Sequence, residues 1–460
     1  MSDLPAGWEW TTLENLTDAG RPICYGILMP KEHVSDGVPY VKVKDFSRGS
    51  LDVAALRRTS PEIAARYQRS SLVGDDLLVS IRGTYGRVVI APPTLNGANI
   101  TQDTARVAVI GADHRYVARY LQSPSAARYF QEVARGVAVK GVNIGDLKLT
   151  PVPVPPRGEQ ERIVGAIEGH LSRIDAAEAL VSAAGQRLDA LERRLRDAAI
   201  EGEPVPLSDI LREPLRNGLS APTSSIGSIR VVTLTSVTKS AFVDAHTKLI
   251  QPGTRSVNDL WMEPGDIFVQ RSNTPELVGT AALFDGPKHW AIFPDLLIRV
   301  RLDESRADPS YVELVLRSTS LRRYFRRSAQ GIAGSMPKVS QPIVEAARIP
   351  LPPLERQRFI VRTLSDDLTI VRRMTAEAGR SSAKARLLRR AVLAAAFAGH
   401  LVPQDEAEEP ASDLLKRVLA PRPAATRASL RRAGAASHRS PRRPLPGSQD
   451  EPSDSHERQR

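Results

Sequence analysis

The sequence predicts an α+β fold: two similar mixed strand-and-helix domains separated by two long antiparallel coiled-coil helices, with a pseudo-twofold internal repeat. Three observations lead there. A proline-rich motif occurs twice, as VPVPPRGEQERIV at 152–164 and IPLPPLERQRFIV at 349–361. Each copy opens a stretch whose apolar residues return every seven positions, the pattern of helices that pack along a seam. Each copy is preceded by roughly 150 residues in which β-branched runs alternate with helical patterns.

The two motifs align at a constant shift of 197 residues, so that Pro153, Pro155, Pro156, Gln160, Ile163 and Val164 match Pro350, Pro352, Pro353, Gln357, Ile360 and Val361. The shift holds without a gap through Ile200-Glu201-Gly202 against Phe397-Ala398-Gly399, and on to Pro206 against Pro403. Upstream, Tyr116, Leu121, Ser123, Ser125, Arg128, Tyr129, Phe130 and Gly136 recur as Tyr311, Leu316, Ser318, Ser320, Arg323, Tyr324, Phe325 and Gly331. GDDLLVS (74–80) likewise parallels PGDIFVQ (264–270). Between these anchors the spacing drifts and identity is low. One scaffold is kept twice while its loops differ, which suits a reader of two different targets better than a duplicated enzyme. Ser412-Asp413-Leu414-Leu415 echoes Ser208-Asp209-Ile210-Leu211, which suggests that the C-terminal segment packs beside the N-terminal domain.

Pro155-Pro156 and Pro352-Pro353 end extended segments and give each helix a defined start. In the first helix Ile167, Ile174, Val181, Leu188 and Leu195 form one line of the seam, with Ile163, Ala177, Ala184, Leu191 and Ala198 filling the other. The second has Leu364, Val371, Ala378, Ala385 and Val392, with Ile360, Met374, Leu388 and Ala395. About 38 residues at 1.5 Å each give helices on the order of 57 Å long. A small domain cannot bury such a stripe, so the two helices are expected to pack on each other. The resulting division is a first domain at 1–155, helix at 156–203, second domain at 204–352, helix at 353–400 and C-terminal segment at 401–460. That segment is Arg- and Pro-rich and expected to be disordered after about 418, having too little apolar surface to fold.

Within the domains, VPYVKVKDF, DLLVSI, RVVIA and ARVAVI read as strands, with IRVVTLTSV, DIFVQ, TAALF and LLIRVRL as their counterparts. YVARYLQSPSAARYFQEVA and YVELVLRSTSLRRYFRRSA read as interrupted helices, whose Tyr129-Phe130 and Tyr324-Phe325 are assigned to the core. Three loops carry candidate nucleic-acid contacts. Arg82, Tyr85 and Arg87 lie between two strands, opposite Arg271 and Asn273 in the second copy. Arginine can pair with guanine, and asparagine with adenine, in bidentate fashion. Asn99 lies in a second loop, whose recurring Asp103 and Asp295 are read as braces. Lys140, Asn143 and Lys338 precede the proline motifs, where they can meet phosphates.

Composition fits that reading. There are 64 Lys+Arg against 52 Asp+Glu, a formal charge of +12 that favours a polyanionic partner. The single cysteine, Cys24, excludes an internal disulfide and any multi-cysteine metal site, and reads as a small buried hydrophobe. The N-terminal MSDLPAGWEW does not have the form of a signal peptide, and no run is long and apolar enough to span a membrane, so a soluble cytoplasmic protein is expected. No Gly-rich nucleotide loop, no Asp/Asn-Pro-Pro methyltransferase motif and no paired histidines are present, so no catalytic or metal residues are assigned.

At this point the residues carry a resemblance. LPAGWEWTTLENL, LLVSIRGTYGRVVI, NITQDTARV, the two proline motifs and AFAGHLVPQDEAEEPASDLLKRV are similar to the specificity subunits of type I restriction–modification systems, over about residues 4–417. The resemblance implies two target-recognition domains, each reading one half of a bipartite site in double-stranded DNA. It implies a helical spacer that fixes the unread gap and docks two methyltransferase subunits, with restriction/translocase subunits where a system has them. S-adenosylmethionine, ATP and Mg²⁺ would then belong to those partners, and this chain would bind no cofactor and be no enzyme. The alternative is a duplicated protein-binding scaffold whose basic surface is incidental.

Overall fold

The computed structural model describes residues 4–47, 50–136, 140–226, 228–238, 242–251, 256–331 and 336–420. The tail expected to be disordered lies, from 421 on, outside the described residues. The chain separates into two compact units, residues 1–169 with 390–460, and residues 170–389. Mixed sheet and helix in both make the protein α+β.

The first unit opens with β1 (Glu9–Thr12), β2 (Cys24–Tyr25) and β3 (Val38–Val41), then a hairpin of β4 (Phe46–Ser47) and β5 (Ser50–Leu51), β6 (Arg57–Thr59) and α1 (Pro61–Arg66). There follow β7 (Leu77–Ser80), β8 (Val88–Ile90), β9 (Asn99–Ile100) and β10 (Thr104–Val107). Helices α2 (His114–Leu121), α3 (Pro124–Val133) and α4 (Ile144–Lys148) lead to β11 (Pro151–Val154) and the long α5 (Arg157–Ala199). The central sheet runs β2-β10-β7-β8, beside a three-stranded β6-β3-β9 and an antiparallel β1–β11 pair with Glu9 opposite Val154. Leu78, Val89, Ile100 and Phe46 are among the buried residues of its core.

The second unit holds β12 (Glu203–Pro206), β13 (Arg216–Asn217), β14 (Ile229–Val232), α6 (Thr235–Thr238) and β15 (Thr247–Ile250). It continues through β16 (Ile267–Gln270), β17 (Ala281–Leu283), β18 (Leu297–Val300), α7 (Pro309–Leu316), α8 (Thr319–Ser328), α9 (Gln341–Glu345) and β19 (Arg348–Leu351) to the long α10 (Leu354–Phe397). Its sheet order β13-β18-β16-β17 and its β12–β19 pair repeat the pairing of the first unit.

Local chemistry explains the repeat. Ser123 and Ser318 cap α3 and α8, accepting from the Ala126 and Leu321 amides at 3.3 and 3.2 Å, and this is where each interrupted helix divides in two. Gln160 and Gln357 are fully buried behind the proline pairs. Gln160 accepts from the Asp113 amide (2.7 Å) and donates to the Pro155 carbonyl (2.9 Å). Gln357 does the same with Asp308 (2.8 Å) and Pro352 (2.8 Å), and also reaches the Arg306 carbonyl (3.1 Å). Each glutamine ties the start of a long helix to the cap of the tyrosine-bearing helix. Tyr116 and Tyr311 then donate to the Pro153 and Pro350 carbonyls at 2.8 and 3.1 Å.

Two strand expectations change. VPYVKVKDF breaks into β3, a 3-10 turn at Val43–Asp45 and β4, because the Asp45 carboxylate accepts from the Lys42 amide at 2.8 Å and turns the chain. IRVVTLTSV ends as α6, where the Thr238 hydroxyl donates to the Leu234 carbonyl at 2.8 Å.

The long helices have 43 and 44 residues, five or six more than expected. Ile167, Ile174, Val181, Leu188 and Leu195 are buried or half-buried, as are Leu364, Val371 and Val392. The companion line is displaced by one residue. Ala177, Ala184, Leu191, Ala198, Met374 and Leu388 are exposed, while Leu171, Glu178, Gly185, Glu192, Leu368, Ser382, Arg389 and Ala396 face inward. In the second unit Arg389 pairs with Asp175 and with Glu178 (3.5 Å), and Leu195 packs on a core that includes Ile360, Leu364 and Leu368. The end of one helix therefore meets the start of the other.

The C-terminal segment packs on the first domain, within the first unit. Phe397 meets Tyr116 and Tyr120 edge-on, with ring centroids 5.4 and 5.2 Å apart. Arg162 pairs with Glu408, and the Ala411 amide donates to the Gly7 carbonyl at 2.9 Å. The Ser412–Leu415 echo lies on α11 (Ala411–Leu419), whereas Ser208–Leu211 falls on a 3-10 turn, so the two share sequence but not conformation.

Candidate nucleic-acid interface

The β7–β8 connection is built on a strand end that recurs in both units. Ile81 donates to the Asp103 carbonyl and accepts from Val142, each at 2.8 Å; Arg271 makes the same pair of bonds with Leu296 and Val339. Gly86 and Gly279 close the two turns by donating to the Ser80 and Gln270 carbonyls, both at 2.8 Å. Both glycines have positive φ (+82 and +71) and press on buried Phe130 and Phe325, where a Cβ at Gly279 would come within 2.5 Å of the phenylalanine Cβ.

This register corrects the loop alignment. Arg271 replaces Ile81, Ser272 replaces Arg82, and the second turn is three residues longer, since Gly279 follows Gln270 by nine positions and Gly86 follows Ser80 by six. Gly141 bridges Arg82 and Arg135, as Lys338 bridges Ser272 and Gln330, so Lys338 stands where the first copy has glycine. Thr104 lies opposite Ser80 and Leu297 opposite Gln270, so Asp295 corresponds to Gln102 and the two aspartates are not equivalent braces.

Four of the predicted contact residues are engaged by the fold. Asn99 is 2% exposed in β9; its amide donates to the Tyr67 carbonyl (3.1 Å) and its oxygen accepts from the Ser70 hydroxyl (2.7 Å). It belongs to the interior and not to a reading surface. The Arg87 guanidinium donates to the Phe46 carbonyl and lies over the Phe46 ring. Asn143 caps α4, accepting from the Asp146 amide at 2.8 Å. Asn273 spans its own turn, donating to the Gln270 side chain at 2.9 Å and accepting from the Thr274 amide at 2.8 Å. Arg87 and Asn143 remain exposed and Asn273 half-buried while making these bonds, so of the four only Asn99 is enclosed by the fold.

Arg82, Lys140 and Lys338 are exposed, and Tyr85 and Arg271 are half-buried. Arg82 edges a hollow of about 590 Å³ that also takes in Tyr25, Gln102 and Arg135, which sequence reasoning had passed over. Their approach comes from the Arg82–Gly141–Arg135 bridges, a contact between distant segments that only the fold reveals.

Sequence reasoning also missed two buried arginines in the sheet. Arg106 in β10 donates to the carbonyls of Arg21 (3.2 Å), Pro22 (2.9 Å) and Arg69 (3.2 Å). Arg299, its counterpart in β18, donates to the Asp259 carbonyl (2.9 Å) and pairs with Glu213 (2.6 Å). Burial, and then neighbouring Arg301, holds Arg299 below the usual arginine range. Cations so placed organise strand ends; they are withdrawn from any polyanion. Cys24 is buried against the Arg69 carbonyl, as expected of a small hydrophobe. Among the described residues no helix is long and apolar enough to cross a membrane, and no group of three or more potential ligands is placed to hold a metal.

The family described as type I restriction modification DNA specificity domain matches residues 7–180. The Type I restriction enzyme EcoBI specificity subunit of Escherichia coli is 32% identical over 205 residues, which cover 44% of this chain and 42% of that subunit. The Type I restriction enzyme EcoKI specificity subunit of Escherichia coli strain K12 is 23% identical over 460 residues, covering 92% of this chain and 97% of that one. A solved chain described under "Structural basis underlying complex assembly and conformational transition of the type I R-M system" shares the fold, with a TM-score of 0.65 at 16% identity and 87% of this chain covered against 100% of that one.

Proposed function

We propose that the chain, similar over residues 7–180 to the type I restriction modification DNA specificity domain and along most of its length to a type I specificity subunit, is the non-catalytic subunit that selects the DNA site. Residues 1–155 and 204–352 act as the two recognition domains, each reading one half of a bipartite target. The helices at 156–203 and 353–400 form an antiparallel coiled-coil spacer, related by the pseudo-twofold repeat, that sets the unread gap. Two methyltransferase subunits dock on that spacer, and restriction/translocase subunits join where the system has them. S-adenosylmethionine, ATP and Mg²⁺ are used on those partners, in the cytoplasm where the DNA lies.

One observation carries the reading. The same backbone hydrogen bonds hold the same strand end and loop in both units, yet the side chains there differ: Ile81 against Arg271, Arg82 against Ser272, Gly141 against Lys338. A constant frame with variable side chains at its rim suits two readers of unlike sequences. Arg82 and Arg271 present the guanidinium fork that matches a guanine edge, and Lys140 and Lys338 suit phosphate. Tyr85, half-buried on the same loop as Arg82, adds a further DNA contact. Exposed Leu388 supplies apolar surface for partner helices, while the buried and half-buried line of Ile167, Ile174, Val181, Leu188, Leu195, Leu364, Val371 and Val392 holds the spacer itself together.

Competition binding tests this. The chain with its methyltransferase partner should prefer one split site over scrambled DNA of the same length. Equal binding to every sequence in a randomised library would reject the reading, and binding that persists unweakened at high salt would favour the protein scaffold instead.

A further inference from the structure

A cavity of about 720 Å³ in the second unit is walled by α8, the turn before it, the 276–280 segment and the C-terminal half of α5. Eight arginines line it against three carboxylates, Asp189, Glu192 and Glu276. Four of the arginines, Arg322, Arg323, Arg326 and Arg327, come from α8 alone, and none of these four forms an ion pair with a described residue. Arg322 donates to the Val278 and Glu276 carbonyls at 2.7 and 2.8 Å, and Arg326 to the Glu276 carbonyl at 3.0 Å. Carbonyls satisfy the donors but leave the charge unneutralised. Burial, and then Arg326, pushes Arg322 down to about 10; burial, and then Arg317, also lowers Arg196.

The fold does not demand this crowding. Aligned on Tyr129-Phe130 and Tyr324-Phe325, the first copy has Ala127, Arg128, Gln131 and Glu132 where α8 has its four arginines. Arg372, also on the cavity wall, stands where the first long helix has Asp175 at the shift of 197. With eight arginines against three carboxylates the excess positive charge repels itself, and a bound phosphate relieves that repulsion while matching the planar guanidinium fork. The cavity also shares Glu276 and Leu277 with the longer turn of the second unit, so an anion seated there lies beside a candidate reading loop.

We propose that this cleft is a clamp for the DNA phosphate backbone, present in the second recognition domain and lacking in the first. The inference rests on the DNA-binding reading above, but its test does not need a known target. Binding of the full chain to a duplex of arbitrary sequence is measured over a range of salt concentrations, for wild type, Arg323→Ala/Arg327→Ala and the charge-matched Lys384→Ala/Arg386→Ala on the spacer. Each phosphate contact adds about 0.9 to the slope of log K against log salt, so the cleft pair should lower the slope by about 1.8 and the spacer pair by far less. Arg323→Lys/Arg327→Lys should keep the wild-type slope, which separates lost contacts from a damaged fold. No change in slope, or an equal change in both alanine pairs, overturns the clamp. A wild type that shows no preference for any target would instead defeat the specificity reading, while the slopes still decide the clamp.

Discussion

Replacing Gln357 by leucine keeps the volume of the side chain and removes all its polar atoms. In the folded protein that change strands the Asp308 amide, bonded at 2.8 Å, and the Pro352 and Arg306 carbonyls, at 2.8 and 3.1 Å, in a place with no access to water at the glutamine. Each buried group left unpaired costs about 1–3 kcal/mol, with the amide nearer the upper end because it has no second partner to turn to. A loss of about 3–6 kcal/mol follows for Gln357→Leu. Gln160→Leu strands only the Asp113 amide and the Pro155 carbonyl, at 2.7 and 2.9 Å, so its loss should be about 2–4 kcal/mol. Because the chain has two compact units, a single melting point would blur the result. Hydrogen exchange by mass spectrometry resolves it: Gln357→Leu should release protection first in peptides covering 309–316 and 354–362, and Gln160→Leu in those covering 114–121 and 157–165. A Gln357→Leu protein that loses less than about 1 kcal/mol, or whose protection falls evenly over both units, would refute the account of how the motif works.

Phe397→Ala empties the site against Tyr116 and Tyr120 and should cost about 3–5 kcal/mol, read as faster proteolysis of the 398–420 segment; unchanged proteolysis would remove Phe397 as its anchor. Glu159 is buried, its Oε2 accepting from the Trp8 indole at 3.0 Å while Oε1 accepts from none of the described residues, and burial raises its pKa. Protonation is therefore tighter in the folded state, so its contribution to stability is present below 4.5 and lost as pH rises through the raised value. Glu159→Gln should be more stable than wild type at neutral pH, with the gap closing in acid; a gap that widens in acid would contradict this. Arg82→Ala should relax one half-site by about 1–3 kcal/mol, whereas Asn99→Ala should lower the stability of the first unit and leave base preference alone. Specificity that follows Asn99 would show that β9 opens on DNA.

Much of the scaffold was legible because it is written in residues that have one structural use. Proline pairs before a glutamine, serine caps before α3 and α8, and Tyr-Phe on the helix that presses a glycine all recur, and all do the same work twice. The strand at 38–46 was less legible, because its alternation is cut by Asp45 reaching back to the Lys42 amide. The inner line of the long helices was misplaced by one residue because Glu178, Gly185 and Glu192 occupy it, and a polar or side-chain-free position does not announce itself as seam. The polar residues of the loops were least legible. Asn99, Arg87 and Arg106 have the composition of DNA contacts, but the carbonyls that hold them come from segments 32–85 positions away. The arginine face of α8 is hard to read for the opposite reason, since its Tyr-Phe pair matches the first copy while the charged residues around that pair differ.

If this chain chooses where DNA is modified, with one domain for each half of the target, its removal changes which bases are modified. Mapping methylated bases across a genome, in cells carrying the chain with its methyltransferase partner and in cells lacking the chain, tests that directly. The expected result is a single motif of two short specified halves around a fixed unspecified gap, present only with the chain, and relaxed in one half alone by Arg82→Ala. A methylation pattern unchanged by removing the chain would contradict it.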